Sequence, residues 1–248
     1  VRYGAAMRLW AAGRIGAEEV EAFRVGSPHD DGEGRPLPAA AAIDRLVEEA
    51  SLYLSGLSGP GVAEVRSGLG RFHGPAVAGE GRPTAVVGRW LPDAIAAMDR
   101  TALAFAIADA APHLDWVTYD AYPRDRIGPV FPGAHAFASL VGEGAPVAAT
   151  DFDLGLFLIA PGVFYRDHRH AAPELYAPLT GPHFWRFRPG APLVARPAHV
   201  PVWNPPFRPH ATKVGAVPFL CLFAWTQDVQ APAEVMDAPD WAEIEGMP

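Results

Sequence analysis

Cysteine is nearly absent from this sequence. Cys221 stands alone, so no disulfide can form within the chain, and a cytoplasmic location is expected. Lysine is as scarce, present only at position 213, and no run of basic residues exists to neutralise phosphates. With a formal net charge of −8, nucleic acid is not an expected partner. No stretch approaches ~20 apolar residues free of charge, so no membrane span is expected. The first residues, Val1-Arg2-Tyr3-Gly4, carry no signal-peptide pattern. Gly68, Gly70 and Gly74 lack both the phosphate-loop lysine and the dinucleotide fingerprint, and read as a plain loop.

What remains is 248 residues, half of them hydrophobic, enough for one sizeable core. The texture changes along the chain. Between Ala39 and Leu54, Ile43, Leu46, Val47, Ala50 and Leu54 recur at helical spacing, with Asp44, Arg45, Glu48 and Glu49 on the other face. A second helix is expected from Pro92 to Ala111, with Pro92 in its first turn and Pro112 as its stop. Shorter helical pieces are expected over Ala5–Ala12 and Ala17–Phe23, and a loop over Gly26–Pro38. From Trp116 onward, short apolar or alternating runs follow one another between Pro and Gly. Trp116–Asp120, His135–Val141, Ala148–Ile159, Glu174–Leu179, Phe184–Arg188, Leu193–Val202 and Val217–Thr226 are strand candidates. Such a series predicts a sandwich or barrel. Residues 1–115 are therefore expected to form a helical segment packed on a barrel of residues 116–248.

The informative segment runs from Gly162 to Gly181. His168 and His170 are two apart, so on a strand both imidazoles face the same way. Glu174 and Tyr176 share that spacing. An unbroken strand from 168 to 176 would span about 27 Å at ~3.3 Å per residue, too long for one ion. The chain must bend, and Pro173, which cannot donate to a ladder, sits between the pairs. Isolated His-x-His pairs are common surface features. Here five residues separate Gly162 from His168, three separate His170 from Glu174 and six separate Glu174 from Gly181. That spacing resembles the first cupin motif at every fixed position. His210, at the entry to the last strands, is the candidate fourth ligand. Imidazole with carboxylate suits one divalent transition metal, Zn, Fe, Mn, Co or Ni, without choosing among them. His183 and His199 read as structural or exposed.

The stretch Tyr165-Arg-Asp-His168-Arg-His170-Ala-Ala-Pro-Glu174-Leu-Tyr176-Ala-Pro-Leu-Thr-Gly181 resembles the cupin-type dimethylsulfoniopropionate lyases and their lyase-like relatives. The resemblance implies a mainly β fold, a cupin (double-stranded β-helix) barrel with an N-terminal helical segment. It implies metal ligation by His168, His170, Glu174 and His210, a catalytic base at Tyr176, a catalytic and substrate-lining tyrosine at Tyr165, and a substrate-lining tryptophan at Trp225. The implied reaction is metal-dependent β-elimination of dimethyl sulfide from a small zwitterion, leaving acrylate. A sulfonium favours aromatic faces over carboxylates by cation–π attraction, and Trp185, Trp203, Trp225, Phe184, Phe187 and Tyr165 all fall in the barrel half. A small molecule is the expected partner, and a homodimer is the oligomer considered. Two other readings stay open on the residues alone. One is another metal-dependent cupin enzyme, an oxygenase or isomerase acting on a small carboxylate. The other is a non-catalytic ligand-binding cupin.

Overall fold

The computed structural model describes residues 36–72, 74–99 and 101–247, together with Gly16. The helical pieces expected over Ala5–Ala12 and Ala17–Phe23, and nearly all of the Gly26–Pro38 loop, lie outside these residues. Among the described residues, no helix is long and apolar enough to cross a membrane.

Helix α1 (Ala39–Ser55) buries Ala42, Ile43, Leu46, Val47, Ala50 and Leu54, the stripe its spacing predicts. Helix α2 (Val62–Leu69) is a correction. Gly68 lies inside it rather than in a loop, and a Cβ there would sit 2.1 Å from the Phe152 ring, so the glycine makes room for that ring. The helix expected from Pro92 to Ala111 is two helices, α3 (Ala85–Ala96) and α4 (Thr101–Ala110). The Thr84 hydroxyl accepts from the Val87 amide and starts α3, leaving Pro92 in its interior. Burial of Val87, Leu91, Ala94 and Ile95 outweighs the proline's preference for a first turn. Two short helices flank the barrel strands, α5 (Arg124–Ile127) and α6 (Trp241–Glu245).

Among the described residues, eleven strands form two sheets. One has the order β2-β1-β3-β10-β5-β8, the other β11-β4-β9-β6-β7. The first comprises β1 (His135–Gly142), β2 (Val147–Ala148), β3 (Asp153–Ile159), β5 (Glu174–Pro178), β8 (Val202–Asn204) and β10 (Phe219–Trp225). The second comprises β4 (Phe164–Arg169), β6 (His183–Arg186), β7 (Val194–Arg196), β9 (His210–Lys213) and β11 (Glu234–Val235). All pairings are antiparallel except β1 with β2. This is the cupin architecture. Three strand expectations are corrected. Trp116–Asp120 contributes only a bridge from Val117 to Phe137. The runs Ala148–Ile159 and Leu193–Val202 are each cut in two, at Asp151 and His199, whose positive φ values of 49° and 64° turn the chain.

The larger sheet separates two cores. Its outward residues, among them Ala136, Ala138, Leu154, Leu156, Leu158, Leu220 and Leu222, pack with α1, α3 and α4. Its inward residues, Phe157, Tyr176, Cys221 and Phe223 among them, meet Tyr165 and Trp185 of the facing sheet. Period-two alternation along β3, β5 and β10 assigns each side chain to one core or the other.

Two buried polar arrangements hold the smaller sheet. Arg186 donates from Nε to Asp167 Oδ1 at 2.9 Å and from Nη2 to Oδ2, while its Nη1 reaches Asp240 at 2.6 Å. The Trp241 indole donates to Asp167 at 2.8 Å, so the same carboxylate anchors α6. His183 accepts at Nδ1 from the Gly215 amide at 3.2 Å, and its Nε2 faces the Thr180 hydroxyl at 3.2 Å. It is structural, as expected. Burial holds it neutral, with its pKa lowered from 6.5 to about 4.

Arg186→Met should cost about 3–5 kcal/mol, because it strands a fully buried Asp167 without its counter-charge. Adding Asp167→Asn should recover part of that loss in urea unfolding. His183 sets a pH window. Between about pH 6.5 and 4 the unfolded chain binds a proton that the folded chain refuses, so stability falls as pH drops. His183→Gln should flatten that slope by about 3 kcal/mol, read from urea midpoints at pH 7 and in the acid range.

Candidate metal centre and adjoining cavity

The bend predicted between His170 and Glu174 is a crossing between sheets. β4 carries His168 in the smaller sheet, and β5 begins at Glu174 in the larger one. The corner is pinned by the Phe207 amide on the His170 carbonyl at 2.8 Å and the Thr226 amide on the Pro173 carbonyl at 3.2 Å. His210, first residue of β9, lies in register opposite His168. Residues facing one another across a ladder share a side of the sheet, so both rings enter the space between sheets.

Ring nitrogens of His168, His170 and His210 lie within 4.8 Å of one another, and all three residues are buried. Each Nδ1 lies against a backbone carbonyl, Arg166 at 2.8 Å, Ala172 at 2.7 Å and Arg208 at 2.9 Å. A carbonyl only accepts, so each Nδ1 carries a proton and Nε2 is the atom each ring offers for ligation; that of His170 lies within hydrogen-bond distance of Glu174. Glu174 Oε2 stands 3.1 Å from His170 Nε2 and 3.4 Å from His210 Nε2. Its Oε1 accepts from the Trp225 indole at 2.8 Å.

Burial, reinforced by the His210 and His170 rings, holds His168 well below its ordinary pKa and therefore neutral. Burial pushes the Glu174 carboxyl up, but His170 and His210 outweigh it and hold Glu174 below the usual carboxylate range. The Nε2 atoms of His168 and His210 are buried with no hydrogen-bond partner among the described residues. Such a convergence of lone pairs beside a carboxylate is short of positive charge. These donors fit a divalent cation, and the backbone carbonyls behind the rings are the second-layer partners that orient metal-binding histidines.

A cavity of about 190 Å³ opens beside the cluster. Tyr165, Glu174, Tyr176 and Trp225, all singled out from the sequence, line it together. Tyr165 stacks on His168 with ring centres 3.9 Å apart, and Trp225 stacks on His170 at 4.6 Å. Tyr176, two residues beyond Glu174, shares its face of β5 and lies 6.1 Å from His210, ring to ring. Burial pushes the hydroxyls of Tyr165 and Tyr176 well above their ordinary pKa; Tyr122 adds to this for Tyr165, and Glu174 for Tyr176. The other aromatic candidates do not line the cavity. Trp203 packs outward against the helices, Trp185 is barrel core, and Phe187 lies under Arg208 at 4.2 Å.

Several cavity residues carry no motif. The Tyr122 hydroxyl lies 2.7 Å from that of Tyr165, and burial pushes its pKa up as well. His135 is held at Nδ1 by the Phe131 carbonyl and accepts at Nε2 from the Tyr119 amide at 3.0 Å, so it buttresses the wall. Asp153 is the cavity's second carboxylate. Tyr119 and Tyr122 sit in an irregular segment without periodicity, and only the aromatic density of Tyr119-Asp-Ala-Tyr122 hints at them.

The dimethylsulfoniopropionate lyase family model matches residues 76–221, more than half of the chain's 248 residues. The dimethylsulfoniopropionate lyase DddQ of Ruegeria pomeroyi is 30% identical over 119 residues, covering 48% of this chain and 58% of that protein. The match thus spans less than two thirds of that relative's length. A chain from the crystal structures of the lyases RdDddP and RnDddQII superposes with a TM-score of 0.68 at 21% identity, over 81% of this chain and 100% of its own. Ruegeria pomeroyi DddQ superposes at 0.60 with 23% identity, over 81% and 97%. At these identities the likeness shows a shared fold. By the family match, the chain belongs to the dimethylsulfoniopropionate lyase family.

Proposed function

We propose that the protein is a metal-dependent carbon–sulfur lyase that cleaves dimethylsulfoniopropionate to dimethyl sulfide and acrylate. In this reading His168, His170, Glu174 and His210 hold one divalent transition metal. The observation that carries it is the buried set of unpartnered Nε2 atoms opening onto an aromatic cavity, in a chain of this family. When bound, such a metal supplies Lewis acidity to a substrate carboxylate, making the neighbouring C–H more acidic, and its charge favours a nearby phenolate.

The remaining work falls to the chain's own residues. Tyr176 is the general base: its phenolate oxygen takes the proton from the carbon next to the carboxylate. The electron pair of that C–H bond becomes the new C=C bond. The C–S bond breaks, and its pair leaves on sulfur as dimethyl sulfide. Without a bound cation, burial keeps Tyr176 protonated and unable to accept, which couples turnover to loading of the site. Tyr165 lines the substrate space and takes part through its contact with Tyr122, which holds its hydroxyl. Trp225 presents its indole to the substrate while its N–H orients Glu174. The enclosing aromatic rings exclude water from the reacting centre.

Purified protein should contain close to one divalent transition metal per chain by elemental analysis. His170→Ala or Glu174→Ala should remove most of it, because the remaining ligands leave an open position. Active, metal-free protein would end this reading. Tyr176→Phe should keep both fold and metal while lowering dimethyl sulfide release by ~10²–10⁴-fold, the usual contribution of a positioned base. Tyr165→Phe should be milder, acting more on KM than on kcat. Full activity in Tyr176→Phe would require another base.

A further inference from the structure

Three residues cross the larger sheet in one row. Asp153 on β3 pairs in register with Trp225 on β10, which pairs with Glu174 on β5. All three therefore face the space between the sheets, and all three line the cavity. Two strand spacings put the Asp153 backbone roughly 10 Å from that of Glu174. The cavity thus has a cation-seeking cluster at one side, a carboxylate at the other, and the Trp225 indole between them.

Among the described residues, Asp153 has no counter-charge there, since no lysine or arginine lines the cavity. Its Oδ1 is buried without a hydrogen-bond partner, while Ser139 hydrogen-bonds to the carboxyl. The Asp153 carboxyl rests near Gly142, where a Cβ would stand 3.4 Å from Oδ1. Burial pushes its pKa up to about 6, so near neutral pH it is an anion held in poor surroundings for an anion. Leaving a carboxyl there unpaired is costly, and a cation entering the cavity offsets that cost. Phe137 and Phe223, whose ring centres lie 6.2 Å apart, complete an aromatic wall beside it.

We propose that Asp153 is a specificity-determining residue that, with Trp225 and Phe223, forms a subsite for the cationic end of a small zwitterion whose carboxylate lies at the histidine cluster. The inference rests on the reading of this cavity as the substrate site. It assigns the selection of a cation to a carboxylate as well as to aromatic faces. A neutral molecule of the same shape leaves Asp153 unpaired, whereas a sulfonium or ammonium pairs with it.

The test is calorimetric binding to metal-loaded protein carrying Tyr176→Phe, which suppresses turnover. The probes are dimethylsulfoniopropionate and its carbon isostere, 4-methylpentanoate, which keeps the carboxylate but lacks the cationic end. With Asp153 intact, the cation should bind more tightly than the isostere. Asp153→Asn should weaken dimethylsulfoniopropionate by about tenfold or more and leave 4-methylpentanoate within about twofold. Equal losses for both ligands would mean a packing role, and unchanged binding of both would mean none; either overturns the proposal. So would an intact protein that binds the isostere as tightly as the cation, a result that does not depend on the variant folding. If the wild-type protein releases no dimethyl sulfide but the selective loss is seen, the elimination reading fails and the subsite stands.

Discussion

The corner between β4 and β5 determines most of what this molecule can do. His168 and His170 leave the smaller sheet, and within four residues Glu174 begins a strand of the larger one. A continuous strand could not bring these side chains together, since each added residue carries the chain ~3.3 Å further along. The sheet change turns a linear separation into a transverse one. Amides from two other segments, Phe207 and Thr226, bond to the corner's carbonyls and hold it. On the far side of β4, Asp167 is gripped by Arg186 and by the Trp241 indole. Asp167 and His168 are adjacent on a strand and so point to opposite faces, one into a fixed ion pair and the other into the cluster. The ion pair therefore braces the strand that presents His168.

The site is polar, and it is buried within an aromatic core. Burial keeps His168 neutral and the tyrosines protonated, the first a requirement for ligation and the second an obstacle to base catalysis. One positive charge in the cluster would address both: it would satisfy the lone pairs and make a nearby phenolate cheaper. The backbone carbonyls behind the three rings fix their tautomers before any ion arrives. Preorganisation of this kind lowers the reorganisation needed on binding, at the cost of convergent lone pairs in the empty cluster.

The convergence of His168, His170 and Glu174 was legible because its information is local. The His168–His170 and Glu174–Tyr176 spacings, with Pro173 between them, encode two strand ends and a bend in nine residues. The helix over Ala39–Leu54 was equally plain, since its apolar period survives on a two-faced element. Position 92 misled because a proline's preference for a first turn is a weak signal beside the burial of Val87, Leu91, Ala94 and Ile95. Gly68 misled for a similar reason: what fixes it is the Phe152 ring, remote in sequence. Tyr122 and Asp153 were invisible as site residues. Tyr122 comes from an irregular segment, and Asp153 opens a strand whose apolar continuation looks like ordinary core. Their roles arise from pairings, Tyr122 with Tyr165 and Asp153 with Trp225, that exist only once the strands are ordered.

That ordering also explains how a cavity survives inside a packed barrel. Along β3, Leu154, Leu156 and Leu158 face the helices, while Asp153, Gly155 and Phe157 face inward. A Cβ on Gly155 would lie 2.4 Å from the Ala138 carbonyl oxygen and 2.6 Å from the Phe223 ring, so the glycine lets both the neighbouring strand and that ring close on the sheet beside the cavity. The alternation that builds the hydrophobic core on one side of the sheet thus leaves a shaped, charged and partly empty space on the other. The same backbone row carries the carboxylates of Asp153 and Glu174 into that space. The leucines and alanines of the outward face meet the helices, while the candidate site, with its unpartnered polar groups, lies on the inward face.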